Sequence, residues 1–218
     1  LELSSFQLYR LRKGYSVEGV VLLNVDSDHL DWHASEVEYK SCKHKIRHYS
    51  SIVISDKEQD INYMPYAHFL YSSGNISWQE AKNKAAVKAL FSALELSITD
   101  VVLPKLPYRQ SIKKVKGKVI INDSKSTNIA STISAVEHVY KHYEQLPVLL
   151  VLAGVNKSGP LEQLTSVLKK TTEVIVVGNE FTNIKGFSFK RVPSISMLKK
   201  WLREFNGVIL FSPAGSSY

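Results

Sequence analysis

The chain has 218 residues, 44% hydrophobic and 22% charged, with 28 Lys/Arg against 20 Asp/Glu and a formal net charge of +8. That is enough apolar chain to bury a core, and no run approaches the roughly 18 apolar residues of a helical membrane span, so disordered and helical membrane-spanning classes are excluded. Cys42 is the single cysteine, which excludes an internal disulfide framework and points to a reducing compartment.

The charge is uneven. Residues 1–107 carry 12 basic and 13 acidic side chains, residues 108–218 carry 16 and 7. Such asymmetry suits a polyanion, a nucleic acid or a membrane surface as partner, and equally a lysine-rich solvated face. No long basic block or basic–aromatic ladder is present, which argues against nucleic acid. The sequence opens with Leu1 inside an apolar pattern, and Tyr218 follows a Ser-Pro-Ala-Gly-Ser-Ser turn. Both ends read as cuts within a longer sequence.

In chain order, residues 19–25 predict a buried strand, and Ser35 with Glu38 predicts a capping box opening a helix to about Tyr49. Residues 51–55 predict a second strand, and Ser77 with Glu80 a capped helix to about Leu96. Pro104-Lys105-Leu106-Pro107 marks the best boundary, because prolines favour extended linkers and the charge balance changes there. Beyond it, strands are predicted at 118–122, 148–153, 173–177 and 208–211. Helices are predicted through Ile129, Ile133, Val136 and Tyr140, then at about 161–169 and 196–205. Apolar strands alternating with amphipathic helices imply a parallel sheet covered on both faces. Ligands of such sheets sit at the carboxyl ends of the strands. That selects the turns at 122–128, 153–159 and 212–218 as one candidate site.

Several polar residues could carry chemistry. Lys125, in the turn Asn122 to Asn128, could hold an anion beside the N–H groups of a helix start. A capped loop with Ser126 or Thr127 as N-cap explains the same residues. Lys157 brings a second lysine to the same sheet edge, and the pair could clamp a carboxylate or phosphate. Ser212 to Ser217 would add hydroxyls. In the first half, Asp26, Asp28, His29 and Asp31 follow a strand and could hold Mg²⁺, or form an Asx-rich turn. Glu2 would need a metal if Leu1-Glu2-Leu3 were a buried strand. Lys43 reads locally as a solvated helical lysine. Asn83 shares a helical face with Ala86, Leu90 and Leu94, where it either caps locally or meets a ligand.

Taken together, these segments resemble the Mur ligase family, at its D-glutamate-adding branch. The matching runs are Glu2-Leu3-Ser4-Ser5-Phe6-Gln7-Leu8, Asn24-Val25 with Asp28-His29-Leu30-Asp31, and Tyr39 to Lys43. In the second half they are Leu106-Pro107-Tyr108-Arg109, Asn122 to Asn128, Gly154 with Lys157, and Ser212-Pro213-Ala214 with Ser216-Ser217. The resemblance implies an α/β chain with two parts. Residues 1–105 would be the remainder of a central ATPase-type domain, and residues 106–218 a Rossmann-like carboxyl-terminal domain. It implies an ADP-forming acid–D-amino-acid ligase that uses ATP and Mg²⁺ to join D-glutamate to UDP-N-acetylmuramoyl-L-alanine through an acyl phosphate. On this resemblance Glu2 and His29 bind Mg²⁺, and Lys43 is carbamylated and reaches a second metal. Asn83, Arg109 and Asp123 hold the nucleotide. Lys125, Thr127, Lys157 and Ser217 form the D-glutamate and acyl-phosphate site, with Lys43, His29 and Lys125 catalytic. It further implies a cytoplasmic monomer serving peptidoglycan synthesis, and with it cell shape and division, with no nucleic-acid or membrane partner.

The departures are specific. The family's phosphate loop, G-x-x-G-K-[ST], is not among these 218 residues, and without it ATP phosphates lose their principal cradle. The stretch between Lys43 and Asn83 is short. Gln79-Glu80 stand where the family has His-Asn, and Gly154 to Lys157 reads Gly-Val-Asn-Lys where Gly-Gly-x-x-Lys is usual. The chain by itself is therefore expected to be inactive. The alternatives are a folylpolyglutamate-synthase-like ligase of the same superfamily and a non-catalytic α/β protein that binds polyanions.

Overall fold

The computed structural model describes residues 1–73, 76–98, 106–157, 159–169, 172–182 and 185–216. The chain divides into two units, Leu1–Val102 and Leu103–Tyr218. The proposed linker residues Pro104 and Lys105 lie outside the described residues.

The first unit runs α1 (Ser5–Arg10), β1 (Val20–Val21), α2 (Glu36–His44), a 3₁₀ segment (Lys45–Tyr49), β2 (Val53–Ser55), β3 (Ile61–Asn62), α3 (Met64–Ser73) and α4 (Trp78–Ala93). Its three strands form a small parallel sheet in the order β1-β2-β3. The strand expected at 19–25 pairs over two residues only, Val20 with Val53 and Val21 with Ile54. The Leu22 N–H still donates to the Ile54 carbonyl at 2.9 Å, and Asn24 then turns away to bond with Asp26 and Gln79.

The helix from Ser35 tightens to 3₁₀ after His44. At Ser35 and Ser77 only half of each predicted capping box forms. Each hydroxyl accepts the N–H three residues on, at 3.1 and 3.2 Å. The return bonds are missing, because Glu38 accepts from Ala34 N and Glu80 pairs with Lys84. Ile54, Tyr63, Ala67, Ala85 and Ala86 form the core between the sheet and helices α3 and α4. α1, β3 and α3 were absent from the sequence-based expectation. α1 and β3 are too short to show a period, and α3 is hydrophobic all round rather than striped.

The second unit contains β4 (Ser111–Val115), β5 (Lys118–Asn122), α5 (Ile129–His142), β6 (Val148–Leu152) and a 3₁₀ segment (Leu161–Ser166). It continues with β7 (Thr172–Val177), β8 (Lys190–Val192), a second 3₁₀ segment (Ile195–Leu198), α6 (Lys199–Glu204) and β9 (Val208–Phe211). The six strands are ordered β4-β5-β9-β6-β7-β8. β4 is an antiparallel edge strand joined to β5 through Lys116 and Gly117, both at positive φ (49° and 78°), the signature of a two-residue type I′ hairpin. All other neighbours are parallel.

The strands alternate between two cores. Ile121, Leu150, Leu152, Val174, Val176, Val208 and Leu210 face α5 and the first 3₁₀ segment. Leu149, Val151, Ile175, Val177, Val192 and Ile209 face the side covered by Leu198, Trp201, Leu202 and Phe205. A sheet buried on both faces explains why β6 reads as an uninterrupted Val-Leu-Leu-Val-Leu run.

Candidate active site

In the first unit, Glu2, Leu3, Ser4, Ser5, Gln7, His29, Tyr39 and Lys43 line one cleft of about 370 Å³. Three sequence-distant candidates, Glu2, His29 and Lys43, thus share a single cavity. α2 fixes the wall. Its buried face carries Tyr39 and Cys42, which places Lys43 half-buried beside them, with Nζ donating to the Leu3 carbonyl at 3.4 Å. The Cys42 thiol donates to the Ser5 carbonyl at 3.0 Å, and burial pushes this thiol's pKa up against the pull of Lys45 and Lys43. Lys43 is therefore not simply solvated.

His29 holds a left-handed conformation (φ 53°). Its N–H donates to Asp28 Oδ1 at 2.8 Å, and its carbonyl accepts from Trp32 and His33 at 3.1 and 3.0 Å. The ring packs edge-on against Phe6, 4.9 Å between centroids. Burial, reinforced by Asp28 and Asp26, pushes the Tyr39 phenol up to about 12, so it stays protonated in the cleft. Buried His33 bonds Ser5 Oγ through Nε2 at 3.0 Å. His33 and Cys42 thus tie Ser5, at the start of α1, to the wall. Glu2 lies in an exposed, irregular segment rather than in a buried strand. The carboxylate therefore needs no metal to excuse its burial.

Among the described residues no group of three His, Cys, Asp or Glu side chains is placed to hold a metal. The unmodified cleft offers one carboxylate and one imidazole. Mg²⁺ commonly takes one or two carboxylates and completes its shell with water and substrate phosphates. The donor set fits that limited role, and carbamylation of Lys43 would add a second oxygen donor.

Asn83 is exposed; the buried face of α4 is Ala81, Ala85 and Ala86, so the apolar stripe lies rotated from the predicted one. Asn83 Oδ1 accepts from Gln79 Nε2 at 3.1 Å, and the same amide reaches Asn24 Oδ1 at 3.2 Å. Gln79, noticed in the sequence only as a departure, thereby joins the ends of β1 and α4. Half-buried Lys82 beside it is lowered by burial, with Asp26 and Asp56 opposing.

In the second unit the three selected turns do meet, because β9 lies between β5 and β6 and all three strands end on the same edge. Ala214 N donates to the Ser126 carbonyl at 3.0 Å, and Ala153 N to the Pro213 carbonyl at 3.0 Å. Val155 and Ser216 exchange both backbone bonds at 2.9 Å. Gly154 (φ 87°) sits under this bridge; a Cβ there would collide with the Ser216 carbonyl oxygen and stand 3.1 Å from the Gly215 carbonyl.

Asp123 is 5% exposed. It accepts from Gln110 N at 3.1 Å and from the Ser126 hydroxyl. Burial raises its pKa, against the Ser126 and Gln110 hydrogen bonds and the charge of Arg109. The helix cap is neither Ser126 nor Thr127 but Asn128, whose side chain accepts from Ser131 N at 2.9 Å. Ser126 instead serves Asp123. Lys125 and Thr127 are exposed on this rim, Lys157 is half-buried and Arg109 is exposed. Lys125 N donates to the Tyr108 carbonyl at 3.2 Å, which ties the Arg109 loop to the turn. Ser217 lies outside the described residues.

No protein-family model matches the chain. It is 28% identical over 260 residues to the UDP-N-acetylmuramoylalanine–D-glutamate ligase of Pseudothermotoga lettingae, covering all of this chain and 59% of that protein. It is 27% identical over 272 residues to the enzyme of the same name from Legionella pneumophila, again covering all of this chain and 60% of the relative. The chain therefore spans about three-fifths of the length of these relatives.

Among solved structures, the MurF ligase from Thermotoga maritima in complex with ADP matches with a TM-score of 0.66 at 17% identity, over 88% of this chain and 57% of that one. The UDP-N-acetylmuramate–alanine ligase MurC of the same organism matches with a TM-score of 0.59 at 15% identity, over 98% and 59%. Over its whole length the chain is homologous to part of proteins named UDP-N-acetylmuramoylalanine–D-glutamate ligase, and it has the α/β fold of the Mur ligases.

Proposed function

We propose that these residues form the metal cleft and the amino-acid-binding turns of an ATP-dependent ligase that joins D-glutamate to UDP-N-acetylmuramoyl-L-alanine in the cytoplasm, as a step of peptidoglycan synthesis. The observation that carries the reading is the convergence of Glu2, His29 and Lys43 on one cleft, in a chain similar throughout to ligases of that name.

Bound Mg²⁺ would neutralise charge building on a transferred phosphoryl group. Glu2 and His29 would hold it. The amine of Lys43, drawn toward the cleft by Leu3, is the group to carry a carbamate. In the second unit, Lys125 and Lys157 present cations at the rim where three strand ends meet, suited to the two carboxylates of D-glutamate and to an anionic acyl phosphate. Arg109 and Asp123 lie in loops joined by the Gln110–Asp123 and Lys125–Tyr108 bonds, which would set the nucleotide contacts and the D-glutamate contacts in fixed relation. Asn83 would face the adenine with Gln79 as its neighbour. The phosphate cradle of such a reaction is not supplied by these 218 residues.

Isothermal titration of the chain with D-glutamate tests the reading: binding that is lost in Lys157→Ala and unchanged by L-glutamate competition supports it. Equal affinity for both enantiomers, or for folate, would overturn it. ADP release by this chain supplied with ATP, D-glutamate and the muramyl nucleotide would overturn the expectation that it is inactive by itself.

A further inference from the structure

We propose that His138 and His142, on the flank of α5, form a binding site for a divalent transition-metal ion of the Zn²⁺ type. The site is independent of the cleft and of the rim turns. The two histidines are four residues apart on a 14-residue helix, the spacing that stacks side chains on successive turns. Their ring centroids are 4.3 Å apart and their planes are inclined by 57°. An ion bound at about 2.0–2.1 Å by one nitrogen of each ring would set the centroids roughly 4.5–5 Å apart. The observed pair is therefore within a small rotation of a chelating geometry.

The environment supports ligation. His142 Nε2 is buried and has no hydrogen-bond partner among the described residues. Burial, with Lys141 beside it, lowers the pKa of His142 and favours the neutral imidazole that metals require. Ser134 lies a further turn back on the same stripe, and its Oγ is also buried without a partner; it is placed to orient a metal-bound water. No third protein ligand of the His, Cys, Asp or Glu type joins them among the described residues, so water would complete the shell. Imidazole donors suit Zn²⁺, Cu²⁺ and Ni²⁺, whereas Mg²⁺ prefers oxygen. The site thus discriminates against the ion expected in the cleft.

The test is calorimetric titration of the 218-residue chain with Zn²⁺ in excess Mg²⁺, for wild type, His138→Gln, His142→Gln, and the control variants His29→Gln and His44→Gln. Binding should weaken by about tenfold or more in each α5 variant and persist in both controls. In the wild-type protein, Zn²⁺ should shift the imidazole NMR resonances of His138 and His142 together, a readout that needs no variant to fold. Undiminished binding in the α5 variants, loss of binding in His29→Gln alone, or resonances of His138 and His142 that do not move would each overturn the proposal.

Discussion

Replacing Gly154 by alanine separates two costs that the structure makes distinct. Any L-residue held at φ near 87° gives up about 1–2 kcal/mol to the left-handed conformation. At Gly154 the new methyl also meets backbone, the Ser216 and Gly215 carbonyls, which cannot rotate aside. Such overpacking adds about 1–3 kcal/mol, for a total of about 2–5 kcal/mol. Gly117 is the internal control, since it has φ 78° and nothing within 4 Å of a built Cβ, so Gly117→Ala carries the first cost alone.

Urea unfolding can be followed through Trp201 with Trp32 and Trp78 replaced by Phe, so that the signal reports the second unit. With an m-value of about 2 kcal/mol/M, the midpoint should fall by about 1–2.5 M in Gly154→Ala and by about 0.5–1 M in Gly117→Ala. D-glutamate binding should be lost only in the former, because the Val155–Ser216 bridge is what opens. Equal midpoint shifts would refute the reasoning.

Asp60 pairs with Arg47 at 2.5 and 2.7 Å and accepts from Ser55, with side-chain exposures of 7% for Asp60 and 19% for Arg47. Asp60→Ala strands a guanidinium and a buried hydroxyl and should cost about 3–4 kcal/mol in a urea melt of the first unit; a loss below 1 kcal/mol would mark the pair as solvated. Asp123 has a folded pKa raised above its ordinary 3.8, so the stability its protonated form contributes is complete below that value and vanishes as pH rises through the folded value. Asp123→Asn should therefore be more stable than wild type at pH 7, with the difference shrinking toward zero in acid; a difference that grows in acid contradicts the sign. Burial, aided by neighbouring cations, lowers His44 and His142 below their ordinary 6.5. Their contribution is present above 6.5 and lost as pH falls through the folded values, so the double variant to Gln should flatten the stability profile over that acid range, measured by thermal melts.

The four inner strands of the second unit were legible because a sheet buried on both faces writes them as short apolar runs, whereas the exposed edge strands β4 and β8 carry no such run and went unread. The strand-end rule selects the rim turns from sequence alone, because β5, β6 and β9 end on one edge. What the sequence concealed was the division of roles inside the turn. Asn128 and Ser126 are both competent caps, and it is the buried Asp123 that draws off the Ser126 hydroxyl and leaves the cap to the Asn128 amide oxygen. In the first unit the cleft residues were recognisable through the resemblance, whereas local pattern left Lys43 as a solvated lysine. Its burial depends on Leu3 and Ser5, some forty positions earlier, and no helical period records that. The Asn83 stripe was misplaced because alanines dominate α4, and a face of small residues gives a weak period.

The place of β9 in the sheet has a consequence for biosynthesis. The last strand in sequence is the one that joins β5 to β6, so the pairings that unite the sheet span roughly ninety and sixty positions of chain. During translation the hairpin of β4 and β5 and the β6-β7-β8 layer emerge as separate pieces, each with an unpaired inner edge, until Phe211 clears the ribosome. Non-local closure of this kind is slow, and exposed edges invite association. A nascent or prematurely terminated chain lacking β9 is thus a species for chaperones to hold or proteases to remove.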